Sequence, residues 1–222
     1  MAIFAQNEDM HFLPESLEWY VENHSQDEPE LLKELTRETH LKVIQPRMLT
    51  GHYQGRLLSM LSKLQRPKNI LEIGTYTGYS AICLAEGLHP EGTLHTIDVN
   101  EELHAMQRTY FDRSGAGDRI VQHTGNALDI IPGLPLKFDL MYIDAEKKEY
   151  LSYYEVVMEK VNPGCLIISD NVLWSGKVLE EVKSGDKTTP VLLEYNKRLK
   201  EDPRVETVLL SIRDGLTLSR VL

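Results

Sequence analysis

Two cysteines, Cys83 and Cys165, are all that the 222 residues contain, too few for a disulfide scaffold. Both lie inside apolar stretches and read as reduced core side chains. No apolar run approaches the ~20 residues that a membrane-crossing helix needs, so no membrane partner is expected. Basic residues are scarce as well: 24 Lys and Arg stand against 34 Asp and Glu, a formal net charge of −10. Nucleic-acid binding relies on clustered Lys and Arg, so this balance argues against a phosphate backbone as the main partner. It is compatible with a cationic small ligand. The first Lys or Arg is Lys33, so a charged secretion leader is not expected, and cytoplasmic residence is the default. Repeats and low-complexity tracts are missing too. What remains is a chain that is 41% hydrophobic, enough for the core of one α/β domain over 1–222.

From Asn69 onward, apolar runs at 70–73, 94–97, 119–121, 138–143 and 165–169 alternate with helical stretches at 79–88, 101–114, 127–131 and 150–161. This βαβα rhythm predicts a mostly parallel, doubly wound sheet with helices on both faces. Pro132-Gly133 and Pro163-Gly164 read as stops at helix ends. The tail adds a helix over 189–201 and strands over 205–211 and 216–221. The link between those last strands is too short for a helical crossover, so one strand enters the sheet in reverse. Residues 1–66 are helical in pattern, at 15–24, 29–41 and 52–65. They could cap the sheet, cover a ligand or meet a second subunit.

Asp144 ends one hydrophobic run, and Asp170-Asn171 ends another. As neighbouring parallel strands lie about 4.8 Å apart, three oxygen-bearing side chains would emerge together at the carboxyl edge of the sheet. Two carboxylates and an amide favour Mg²⁺, with Mn²⁺ or Ca²⁺ as substitutes, over zinc.

The first strand leads into Glu72-Ile73-Gly74-Thr75-Tyr76-Thr77-Gly78, which has the form E-x-G-x-x-x-G. The dinucleotide pattern G-x-G-x-x-G seats a diphosphate on a helix terminus. Here its middle glycine is missing, and Glu72 would repel a diphosphate while suiting a cation. Asp98 closes the second strand about 20 residues on, where an acid can accept ribose hydroxyls. It reads alternatively as a helix cap. Asn126, before Ala127, reads either as a contact for an adenine amino group or as a cap.

Four ordered stretches carry a resemblance: 71–80, 142–150 (Tyr142-Ile143-Asp144-Ala145-Glu146-Lys147-Lys148-Glu149-Tyr150), 169–176 (Ser169-Asp170-Asn171-Val172-Leu173-Trp174-Ser175-Gly176) and Asp214-Gly215. Together they resemble the S-adenosylmethionine-dependent, metal-dependent O-methyltransferases of the caffeoyl-CoA and catechol type, from about Arg47 to Leu222. The resemblance implies a Rossmann-like seven-stranded methyltransferase sheet and a homodimer. It implies Asp144, Asp170 and Asn171 as ligands of the divalent ion. Glu72, Gly74, Tyr76, Ser80, Asp98 and Ala127 would line the donor, with Asp144 beside it. Met48 and Thr50 match a segment that closes over donor and acceptor, and Lys147 stands where a base is proposed.

On that footing the acceptor is a small aromatic vicinal diol, which would chelate the ion with both oxygens. A dication beside Lys147 would favour its neutral amine as a base, with a solvated surface lysine as the alternative reading. Trp174 could wall the acceptor ring or pack in the core. Departures from the family pattern include Gln54, where the plant enzymes carry glutamate, and Glu146 in place of aspartate. The stretch 176–189 lacks an arginine cluster for CoA phosphates, which makes a free catechol at least as plausible as a CoA ester. The other readings are a nicotinamide-dependent oxidoreductase on the same sheet and a non-catalytic donor-binding module.

Overall fold

A computed structural model of the chain describes residues 14–222. The apolar runs form strands β1 (Asn69–Ile73), β2 (Thr93–Asp98), β3 (Ile120–Thr124), β4 (Phe138–Ile143) and β5 (Val161–Asp170), followed by β6 (Val205–Leu210) and β7 (Leu216–Val221). They make one seven-stranded sheet in the order β3-β2-β1-β4-β5-β7-β6. The first five strands are parallel, and β7 runs antiparallel to both β5 and β6. The reversed strand read from the short final connection is therefore β7.

Strand side chains alternate between faces, and the sequence of β4 supplies apolar residues for both. Leu140 and Tyr142 join a core built by α2 (Glu30–Lys42), α3 (His52–Gln65), α4 (Tyr79–Ala85) and α5 (His104–Arg113). Met141 and Ile143 join the opposite core under α6 (Ala127–Ile130), α7 (Tyr150–Met158) and α8 (Thr189–Glu201). Leu32, Leu35 and Leu58 are almost fully buried, so α2 and α3 cover their own sheet. Each such side chain contributes about 1.5–3 kcal/mol. The preceding α1 (Glu15–Asn23) instead leaves Leu17, Trp19 and Tyr20 exposed.

Several boundaries differ from the sequence reading; β3, expected over 119–121, runs on to Thr124. Pro163 and Gly164 lie inside β5 and not at a helix end. The register of β5 on β4 shifts between Phe138 and Leu140, and this irregular start tolerates a proline that a regular ladder would reject. Helix α4 stops at Ala85, short of Leu88, because Gly87 packs against the backbone of Ser62 and Lys63.

The order places β1 beside β4, with β2 and β3 on one side and β5 on the other. Chain direction around the sheet reverses there. Ligands of open α/β sheets bind at the carboxyl ends of the strands flanking such a switch point.

Candidate active site

Backbone contacts build the left wall of the switch point. Gly74 follows β1 at φ +98°, and a Cβ there would lie 2.0 Å from the Asp144 carbonyl oxygen. Only glycine permits that approach. The Gly74 N–H donates to Ile97 O at 2.9 Å, and the Asp144 N–H donates to Ile73 O at 2.8 Å. The turn that follows wraps one carboxylate. Asp98 Oδ2 accepts from the N–H groups of Thr75 (3.0 Å) and Tyr76 (2.8 Å), and Oδ1 accepts from Asn100 N–H. The cap of the next helical turn is Asn100, which accepts from Glu102 N–H. Asp98 thus belongs to the glycine turn.

Glu72 lies beneath this turn, paired in register with Thr96 on one side and Tyr142 on the other. It is wholly buried, and Thr96 Oγ1 donates to Oε2 at 2.5 Å. Burial pushes its carboxyl up to about 8, against the pull of the Ser80 and Thr96 hydroxyls, and the charges of Asp144 and Asp98 add to the rise. Ser80 is near enough to exert that pull, yet no group completes a hydrogen bond to Oε1. A buried acid with an orphaned oxygen under a glycine turn suits a donor that carries positive charge. Ala127 is buried where α6 begins, and Asn126 caps that helix by accepting from Leu128 N–H, so the cap reading of Asn126 holds.

Side chains build the right wall. Lys147 is only 8% exposed, which overturns the solvated-lysine reading; its neighbour Lys148 is the exposed one. Its ammonium donates to Asp144 Oδ1 at 2.7 Å and lies 5.1 Å from the centre of the Tyr150 ring. Asp170 is buried at the end of β5, and its carboxyl is raised above the usual range by burial and by the Asp144 charge, against the opposing pull of Lys147, Tyr142 and Gln54. Asn171 takes φ +57°, a left-handed conformation that asparagine tolerates. Its side-chain amide makes no hydrogen bond among the described residues. Tyr150 closes the wall from behind, its hydroxyl reaching Ile143 O (3.1 Å) and Asp170 O (2.8 Å) at the ends of both strands.

Two nearby carboxylates answered by one lysine leave an excess of negative charge. The free Asn171 amide adds a neutral oxygen, so the donor set fits a hard divalent cation. Among the described residues no group of three or more His, Cys, Asp and Glu could hold a metal.

The amino-terminal segment reaches the same edge. Thr50 is buried and Met48 is 57% exposed. Arg213, in the hairpin between β6 and β7, donates Nη1 to Leu49 O at 3.1 Å and closely to Thr50 O. Tyr76 takes φ +48°, and its hydroxyl donates to Gln45 O at 3.2 Å, which ties the segment to the glycine turn. Trp174 is partly buried against the α6–α8 core and carries the Lys177 ammonium 5.4 Å from its ring centre, so it packs while keeping one side open. Asp214 holds the backbone of this loop by accepting closely from Ser175 N–H. Gln54, Tyr142 and Arg213 were not singled out by sequence reasoning as site residues. Gln54 alone gave a clue, as a departure from the plant pattern.

A model of the O-methyltransferase family matches residues 22–222. The chain belongs to this family. As an O-methyltransferase it is 36% identical over 203 residues to caffeoyl-CoA O-methyltransferase 1 of Eucalyptus globulus, covering 87% of this chain and 82% of that protein. It is 34% identical over 204 residues to the caffeoyl-CoA O-methyltransferase of Petroselinum crispum, covering 87% and 84%. Among solved structures it is similar to the Bacillus cereus O-methyltransferase in complex with SAH, with a TM-score of 0.85 at 29% identity over 93% of this chain and 97% of that one. The Streptomyces achromogenes O-methyltransferase TomG in complex with SAM gives 0.83 at 28%, covering 93% and 96%. Membership sets aside the nicotinamide reading that the bare sheet topology left open. Among the described residues no helix is long and apolar enough to cross a membrane.

Proposed function

We propose that this O-methyltransferase moves the methyl group of S-adenosylmethionine to one hydroxyl of an aromatic vicinal diol, with a divalent cation held by Asp144, Asp170 and Asn171. One observation carries the reading: the glycine turn with its orphaned buried acid abuts the Asp144–Lys147 pair, with Gly74 in direct backbone contact with Asp144. A sulfonium donor is cationic and so suits Glu72, whose free oxygen can take a donor ammonium, while Asp98 remains open to ribose hydroxyls. Gly74, Tyr76, Ser80, Ala127 and Thr50 are the remaining donor-side contacts of this reading.

Magnesium, when bound, would lower the pKa of a chelated phenol and fix its position. Lys147, held beside Asp144 and kept from bulk water, would take the phenolic proton on Nζ as the neutral amine, once its ion pair with Asp144 is given up. The phenolate oxygen displaces the sulfonium, the C–S bond breaks as the C–O bond forms, and the positive charge on sulfur disappears. Holding both partners in line could supply ~7–11 kcal/mol of the barrier reduction. Trp174 and Met48 flank the acceptor ring. The loop after Trp174 carries Lys177, Lys183 and Lys187 but no arginine, and Lys183 pairs with Glu180, which favours a free diol over a CoA ester.

A screen with tritiated donor over catechols, flavonoids and CoA esters tests the assignment. The expected result is transfer to vicinal diols and little to matched monophenols. Equal transfer to both would refute the chelated-diol reading. Self-association through the amino-terminal helices belongs to the same proposal, and a monomer mass by light scattering would remove it.

A further inference from the structure

Asp170 is held by a closed triangle of hydrogen bonds that the reaction scheme does not use. Tyr142 Oη donates to Asp170 Oδ2 at 2.7 Å, and Gln54 Nε2 donates to the same oxygen at 2.5 Å. Gln54 Nε2 also donates to Tyr142 Oη at 3.1 Å. The phenol gives its proton to Oδ2 and the amide gives one of its own to the same oxygen, leaning toward the phenol oxygen, so Oδ2 accepts two. Oδ1 accepts only from its neighbour Asn171 N–H, at 2.7 Å. A carboxylate oxygen has two acceptor sites. Oδ2 is therefore spent on the protein, and Oδ1 keeps one site free.

All three residues are buried, at 1% exposure for Gln54, 0% for Tyr142 and 3% for Asp170. Burying an amide and a phenol where apolar side chains would fill the same volume is costly unless every proton is used. The three come from distant parts of the chain. Tyr142 lies two residues before Asp144 on β4, whereas Gln54 opens α3 just past the Met48–Thr50 segment. No other described side chain on that helix donates to Asp170.

We infer that Gln54 and Tyr142 are positioning residues, fixing the rotation of the Asp170 carboxylate so that Oδ1 is presented to a divalent cation. Through Gln54 they join that carboxylate to the helix behind the segment over the acceptor. This inference rests on Asp170 being a metal ligand. Neighbours that orient a ligand commonly govern metal affinity by ~10–100-fold when removed, whereas residues that only fill space leave it unchanged.

Mn²⁺ binding to the purified protein, followed by electron paramagnetic resonance, reads this directly, with SAH titration calorimetry as a second readout. Tyr142→Phe keeps the ring and removes only the hydroxyl; Gln54→Met keeps the length and removes both donors. The expected result is Mn²⁺ affinity lowered ~10-fold in either variant and up to ~100-fold in the double variant, with SAH affinity within about twofold of the parent. If Gln54→Met fails to fold, as judged by circular dichroism, Tyr142→Phe alone decides. Parent-like Mn²⁺ affinity in folded variants would overturn the positioning role while leaving the metal reading intact. Failure of the parent protein to bind Mn²⁺ would overturn both.

Discussion

The two walls of the switch point are made of different materials. On the donor side, backbone does most of the work: two glycines, N–H groups donated to Asp98, and one acid left with a free oxygen. On the side proposed for the cation, side chains are tied to one another: Lys147 to Asp144, and Gln54 and Tyr142 to Asp170. A backbone wall tolerates change in most of its side chains but none in its glycines. A side-chain wall tolerates conservative swaps poorly, because each partner left behind is buried and unpaired.

Lys147→Ala should give the largest effect. Loss of a positioned base costs ~10²–10⁴-fold in kcat, and steady-state assays should show it with SAH binding retained. A fall of less than about tenfold would return this lysine to a structural role. Gly74→Ala attacks the opposite wall. The new Cβ at φ +98° would meet Asp144 O, so strain and overpacking together should cost about 2–5 kcal/mol. Thermal melts should place the variant well below the parent, and an unchanged melting temperature would contradict the backbone-wall account.

Glu72 gives a pH signature. Its carboxyl is raised from 4.5 to about 8 by burial, so between those values the folded chain holds a proton that the unfolded chain has released. Stability therefore falls as pH rises through that window. In the donor-free protein, Glu72→Gln should flatten this part of the decline in melting temperature between pH 5 and 9. Parallel profiles for parent and variant would show that Glu72 is ionised in the fold. Arg213→Ala should act least, by loosening the segment at Leu49 and Thr50. It should raise the acceptor KM by roughly three- to tenfold, equivalent to about 1 kcal/mol, with kcat nearly constant. A change in kcat alone would break the link between this segment and acceptor binding.

The same division explains what the sequence revealed. Asp144, Asp170 and Asn171 were legible because each follows directly where an apolar run stops, and strand ends converge by geometry. Gly74 and Asp98 were legible for the same reason, and the reversed final strand followed from the shortness of residues 212–215. The support for these residues was not. Gln54 meets Asp170 across 116 residues of chain, and Arg213 meets Thr50 across 163. No local periodicity encodes such pairs. Tyr142 hid inside an apolar run, where its ring reads as core and its hydroxyl goes unnoticed. Pro163 misled for a related reason, since a bulge that accommodates it depends on the neighbouring strand.

Methyl transfer from labelled S-adenosylmethionine to a catechol, before and after rigorous chelation, tests the central claim most directly. Activity should vanish with EDTA and return with added Mg²⁺, and Asp170→Ala should abolish the return. Full activity in the chelated enzyme would contradict the cation-side assignment.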